Sequence, residues 1–138
     1  MSKLAMKAQI EAPAEAVWGT VRDFGAPNKF IAAVEGCTLE GSGVGAVRTL
    51  LFGGEKVVER LEALDDAARS LTYSIVSAPL PMEGYVSTMK VRALGKGRCE
   101  LEWSCVFTPK GAPEAEVKKI IEGVYTAGFA GLKKLHGG

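Results

Sequence analysis

Histidine is nearly absent: one occurs in 138 residues, His136. Triads, metal sites and acid–base pairs built on imidazole are thereby excluded, apart from chemistry at that one position. Cysteine is scarce as well. Cys37, Cys99 and Cys105 show no C-x-x-C spacing and leave one thiol over after any pairing. That pattern points to reduced thiols and a cytoplasmic setting rather than a disulfide framework. Net charge is missing too, with 17 Lys and Arg against 16 Asp and Glu. There is no global basic field for nucleic acid and no polybasic membrane signal. No apolar run approaches the roughly 18 residues of a membrane helix, so no integral membrane segment is expected. The opening residues carry Lys3 and Lys7 and lack the apolar stretch of a signal peptide. No glycine motif opens a helix for a nucleotide and no metal-ligand spacing occurs, so neither a cofactor nor a metal is expected.

What is present is an ordinary globular composition, 47% hydrophobic and 24% charged. The length suits one domain over residues 1–138 with one core. A strand-like KAQIEA leads to Pro13, which suits a first helical position. Val17, Trp18, Val21 and Phe24 then recur at helical spacing until Gly25-Ala-Pro27 stops the run. A short helical turn follows around Asn28–Ala33. Six strands are expected next, at 35–40, 46–52, 56–64, 69–77, 85–94 and 98–108. Turn residues separate them: GSGVG at 41–45, Gly53-Gly54, Asp65-Asp66, APLPMEG at 78–84, and Gly95-Lys-Gly97. Such short breaks imply hairpins, hence an antiparallel meander.

A long helix closes the chain. Glu114 and Glu116 sit near its start and Lys133, Lys134 and His136 near its end, both favourable to the helix dipole. Its expected apolar face is Val117, Ile120, Ile121, Val124, Gly128, Gly131 and Leu135. Ala127, Gly128 and Gly131 lack bulk where a core would want it. They indicate either close helix–sheet packing or room for a cavity.

Strand alternation sorts the side chains. The inward parities are Val57, Glu59, Leu61 and Ala63; Leu71, Tyr73 and Ile75; Tyr85, Ser87, Met89, Val91 and Ala93; and Cys99, Leu101, Trp103, Cys105 and Phe107. Glu59 is the one carboxylate among them. An isolated buried charge is very costly, so Glu59 must be paired, hydrated or protonated. Arg48, on the parity of Leu50 and Phe52, is its natural partner. Glu59 is then either half of a structural ion pair or the polar anchor or general base of a wet cavity. Tyr85 and Ser87 are candidate neutral donors beside it.

The opening strand with APAEAVWGTVRDF, the strand GVGAVRTL, the run VVERLEALDDAARSLTYSI and a last helix ending LKKL resemble the helix-grip, or START-like (SRPBCC), superfamily. The bacterial polyketide cyclase-like branch and the plant abscisic-acid receptors are the nearest in pattern. The resemblance implies an α+β fold in which about seven antiparallel strands wrap a long C-terminal helix, with one or two short helices after the first strand. The receptors' pocket glutamate falls on Glu59, and their pocket tyrosine and serine on Tyr85 and Ser87. Their gate loop falls on Phe52-Gly53-Gly54-Glu55 and their latch on Leu80-Pro81-Met82, neither with the receptor sequence. The lysine that meets the hormone's carboxylate falls near Ile31, and the final-helix asparagine on Gly131. These departures argue against an abscisic-acid receptor and for a more apolar, more spacious pocket.

Two functions follow. In the first, the chain binds a small hydrophobic or aromatic molecule between sheet and last helix, with portal loops at 51–55 and 78–84. The expected contacts are Phe30, Arg48, Leu50, Glu59, Leu61, Tyr73, Ile75, Met82, Tyr85, Ser87, Met89, Trp103, Ala127, Gly128 and Gly131. In the second it is a cyclase or dehydratase in which Glu59 takes a proton next to a carbonyl and Tyr85 holds the enolate oxygen. A lipid-transport role comes with the same family, and a homodimer through exposed loops is a third reading with little in the sequence behind it.

Overall fold

The computed structural model describes residues 1–137. Strand β1 (Ser2–Ile10) leads into helix α1 (Ala14–Val21) and a 3-10 turn at Pro27–Lys29. Six strands follow: β2 (Val34–Glu40), β3 (Val47–Phe52), β4 (Glu55–Asp65), β5 (Ser70–Ser77), β6 (Met82–Gly95) and β7 (Arg98–Pro109). Helix α2 (Glu114–His136) ends the chain. The strands form one antiparallel sheet in the order β1-β7-β6-β5-β4-β3-β2. The meander from β2 to β7 is extended at its β7 edge by the first strand, which pairs with the last. This is the helix-grip α+β arrangement.

Local chemistry explains the details. Pro13 caps α1 from outside rather than occupying its first turn, with φ −61° and ψ 143°. The β3–β4 hairpin turns on Gly53 and Gly54, at φ 56° and 82°. Two consecutive positive φ values are what a two-residue hairpin turn requires, and glycine supplies them without a Cβ penalty. The 3-10 turn is shorter than the 28–33 stretch expected, and β6 begins at Met82, inside the segment read as a loop. β1 runs from Ser2 and stops at Ile10, earlier than KAQIEA suggests.

Alternation holds until bulges intervene. β4 shifts register between Leu61 and Ala63, and β6 between Ala93 and Gly95. An extra residue reverses which face the following side chains occupy. Ala63, expected inside, is accordingly exposed, while Leu64 packs against the core. Ala93, also expected inside, is exposed although it precedes its bulge and stays in register with Cys99 near the end of β6.

The buried stripe of α2 is Val117, Ile121, Tyr125, Gly128, Phe129 and Leu132. It is rotated from the expected face, since Ile120 and Leu135 are 39% and 52% exposed. The glycines of this helix serve close approach, not space. A Cβ at Gly128 would stand 2.5 Å from the Trp103 ring, and one at Gly131 would overlap the backbone carbonyl of Phe30. A cavity beside Gly128 and Gly131 is thus ruled out by packing.

Candidate functional site

The open volume lies along the other half of α2. A cavity of about 210 Å³ separates Ile120, Ile121, Val124 and Tyr125 from the inner face of β3–β7. Strand β3 contributes Arg48, Leu50 and Phe52; β4 contributes Glu55, Val57 and Glu59. Tyr73, Ile75, Met82, Tyr85 and Trp103 complete the sheet side, and Ile31 and Val34 close one flank. Pro79 and Leu80 come from the β5–β6 loop. Both segments read as portal loops therefore supply lining residues.

Of the contacts expected from sequence, Arg48, Leu50, Glu59, Tyr73, Ile75, Met82, Tyr85 and Trp103 meet around this cavity. The others do not line it. Phe30, Leu61 and Met89 are buried in the core, Ser87 is fully buried, Ala127 is half-buried, and Gly128 and Gly131 pack against Trp103 and Phe30. Tyr125 lies outside the helix face expected from sequence. Its signal was present, one helical step of four from Ile121, with an aromatic body to bury and a hydroxyl needing a partner.

Two polar groups interrupt the apolar wall. The first is an ion pair: Arg48 Nε and Nη2 lie 2.8 Å and 2.6 Å from Glu59 Oε1. Both side chains are over nine-tenths buried. Adjacent strands in register set the pair, because Arg48 lies directly opposite Glu59 across β3 and β4. Arg48 also donates through Nη1 to the Phe24 carbonyl at 3.1 Å. Its guanidinium stacks 4.0 Å from the Phe24 ring centroid and 5.1 Å from that of Tyr73. Such stacking suits a planar, weakly hydrated cation.

The second is a hydroxyl chain whose direction the partners dictate. Trp103 Nε1 can only donate, and it reaches Ser87 Oγ at 3.0 Å and Tyr73 Oη at 3.3 Å. Ser87 gives its own proton to the Ser104 carbonyl at 2.9 Å. Tyr125, 2.9 Å from Ser87 Oγ, must then donate to it. Tyr85 donates to Tyr125 at 2.6 Å, and Tyr73 to Tyr85 at 3.3 Å. Every hydroxyl proton in this cluster has an acceptor inside the protein. Tyr85 and Ser87, expected as donors beside Glu59, point their protons elsewhere.

Burial governs the acidities. It pushes the Tyr73 phenol up to about 12, with the Glu59 charge adding to the effect. Burial likewise raises Tyr85 and Tyr125 well above the usual phenol range, the neighbouring tyrosines adding to it. The cluster is therefore neutral at physiological pH and holds no base. The three thiols are also raised by burial and are not activated nucleophiles. Among the described residues no group of three or more His, Cys, Asp and Glu side chains is placed to hold a metal ion. No helix among them is long and apolar enough to cross a membrane.

Comparison with known proteins agrees with this architecture. The profile of the family described as polyketide cyclase / dehydrase and lipid transport matches residues 1–137. Abscisic acid receptor PYL2 of Arabidopsis thaliana is 32% identical over 128 residues, covering 84% of this chain and 67% of the receptor. Receptor PYL10 of the same plant is 32% identical over 123 residues, 82% of this chain and 67% of its own. Among solved structures, the XoxI protein of Bacillus cereus superposes with a TM-score of 0.92 at 29% identity, covering 99% of this chain and 96% of that one. A Thermobifida fusca protein superposes with a TM-score of 0.82 at 30% identity, over 100% of this chain and 98% of its own.

Proposed function

The chain belongs to the polyketide cyclase / dehydrase and lipid transport family, and on that footing we propose that it binds a small hydrophobic or aromatic molecule in the cavity between α2 and the sheet. The single observation that carries this reading is the cavity itself, about 210 Å³ and walled by Leu50, Val57, Ile75, Val124 and the Trp103 and Tyr125 rings. An apolar void of ~150 Å³ in another protein stays dry and takes benzene, so a one- or two-ring compound is of suitable size. Relatives named as abscisic acid receptors support a small-molecule occupant.

The alternative is a polyketide cyclase/dehydratase-type enzyme with Glu59 as acid and base and Tyr85 as enolate partner. The proton of Tyr85 goes to Tyr125 at 2.6 Å, which leaves that chemistry without its oxyanion donor. Binding is the reading the geometry favours.

Titration calorimetry with 2-naphthol tests it, using the parent and Val124→Trp, which places an indole in the cavity. One-site binding by the parent and none by a folded Val124→Trp supports the proposal. Equal binding by both would place the compound elsewhere and overturn it.

A further inference from the structure

Both Arg48 contacts fall on one oxygen of Glu59, Oε1. The other oxygen, Oε2, has no hydrogen-bond partner among the described residues. Yet among the described residues no buried side-chain nitrogen or oxygen is left without a partner. Oε2 is therefore in contact with open space, and the space that Glu59 borders is the cavity. A carboxylate oxygen that opens onto a largely apolar cavity is a strong acceptor for a donor placed there. The rest of the wall does not supply one, because the protons of Tyr73, Tyr85, Tyr125 and Trp103 are engaged with one another and with Ser87.

Charge narrows the choice further. Arg48 balances Glu59, so the pair is neutral as a unit, and the guanidinium is held by Glu59 and the Phe24 carbonyl. Ile31, on the cavity wall, offers no charge. An entering carboxylate would lose its hydration and bring a second negative charge beside Glu59, with Arg48 already balanced by the first, a costly burial. An ether or hydrocarbon of the same shape would leave Oε2 unsatisfied.

From this we infer that the cavity selects a neutral ring compound bearing an O–H or N–H donor, which Glu59 Oε2 accepts, and that it rejects carboxylates. The inference rests on the cavity being a ligand site, as proposed above.

Calorimetry at pH 7 with 2-naphthol, 2-methoxynaphthalene and 2-naphthoate separates the two claims. The parent should bind the naphthol at least about ten-fold more tightly than the methyl ether, as a hydrogen bond to a charged group requires. It should not bind the naphthoate measurably. Glu59→Gln leaves Arg48 without a counter-charge, so this variant should gain affinity for the naphthoate. The double variant Arg48→Met with Glu59→Met removes the ion pair without stranding either charge, a change that is often neutral for folding. It should bind naphthol and methyl ether alike. If the parent binds naphthol and ether within about two-fold, or takes the naphthoate as well, the inference fails and the ligand site stands. If the parent binds none of the three, the ligand site itself fails and the inference falls with it.

Discussion

Arg48 grips Glu59 by a single carboxylate oxygen, at 2.8 Å from Nε and 2.6 Å from Nη2. One oxygen is held structurally by Arg48, and the other is the acceptor inferred above for a ligand's donor. The pair's position costs desolvation, which only a partnered geometry offsets.

Breaking the pair from one side should therefore be severe. Arg48→Ala strands a buried carboxylate and Glu59→Ala a buried guanidinium, each expected to lose about 3–5 kcal/mol. Thermal melts should show both well below the parent. Parent-like melting of either variant would mean that solvent reaches the pair.

Gly131→Ala should destabilise the fold without acting through a ligand. The added Cβ meets the Phe30 backbone carbonyl, which is not the movable end of a side chain. The loss should match or exceed the ~1–3 kcal/mol usual for overpacking a core. Chemical denaturation checks this, and an unchanged midpoint would show that α2 has room to shift.

Tyr73, Tyr85 and Tyr125 are the chain's three tyrosines, and all are buried. Their folded acidities are shifted upward, first by burial. A raised folded pKa gives stability that is whole below the unfolded value near 10 and is lost as pH rises through the folded one, about 12 for Tyr73. Alkaline titration followed at the tyrosinate absorbance should stay flat past pH ~10 and then rise together with loss of tertiary structure. A simple rise centred on ordinary phenol acidity in a folded protein would contradict the closed hydroxyl chain.

The hairpin meander and the long last helix were legible because turn residues and alternation act locally. Leu71, Tyr73, Cys99 and Trp103 fell on the inner face as their parity required. Ala63 did not, because a bulge is set by pairing with a neighbouring strand and leaves no mark on alternation. Ala93 did not either, exposed near the end of β6 while still in register with Cys99. The α2 face was misread for another reason. Ile120 borders the cavity while 39% exposed, so its apolar character reflects the cavity wall rather than the packed core. Gly128 and Gly131 looked like missing bulk, yet whether a glycine leaves a void or admits a neighbour depends on Trp103 and Phe30, which are remote in sequence. The Arg48–Glu59 pair was legible from shared inward parity. Which oxygen remained free was not.

The most direct test of the account is a crystal structure of the protein soaked with 2-naphthol. The account predicts ring density between Val57 and Val124, with the hydroxyl oxygen within hydrogen-bond distance of Glu59 Oε2. Density for the compound only on the outer surface of the sheet, with the cavity empty in crystals saturated with it, would contradict the account.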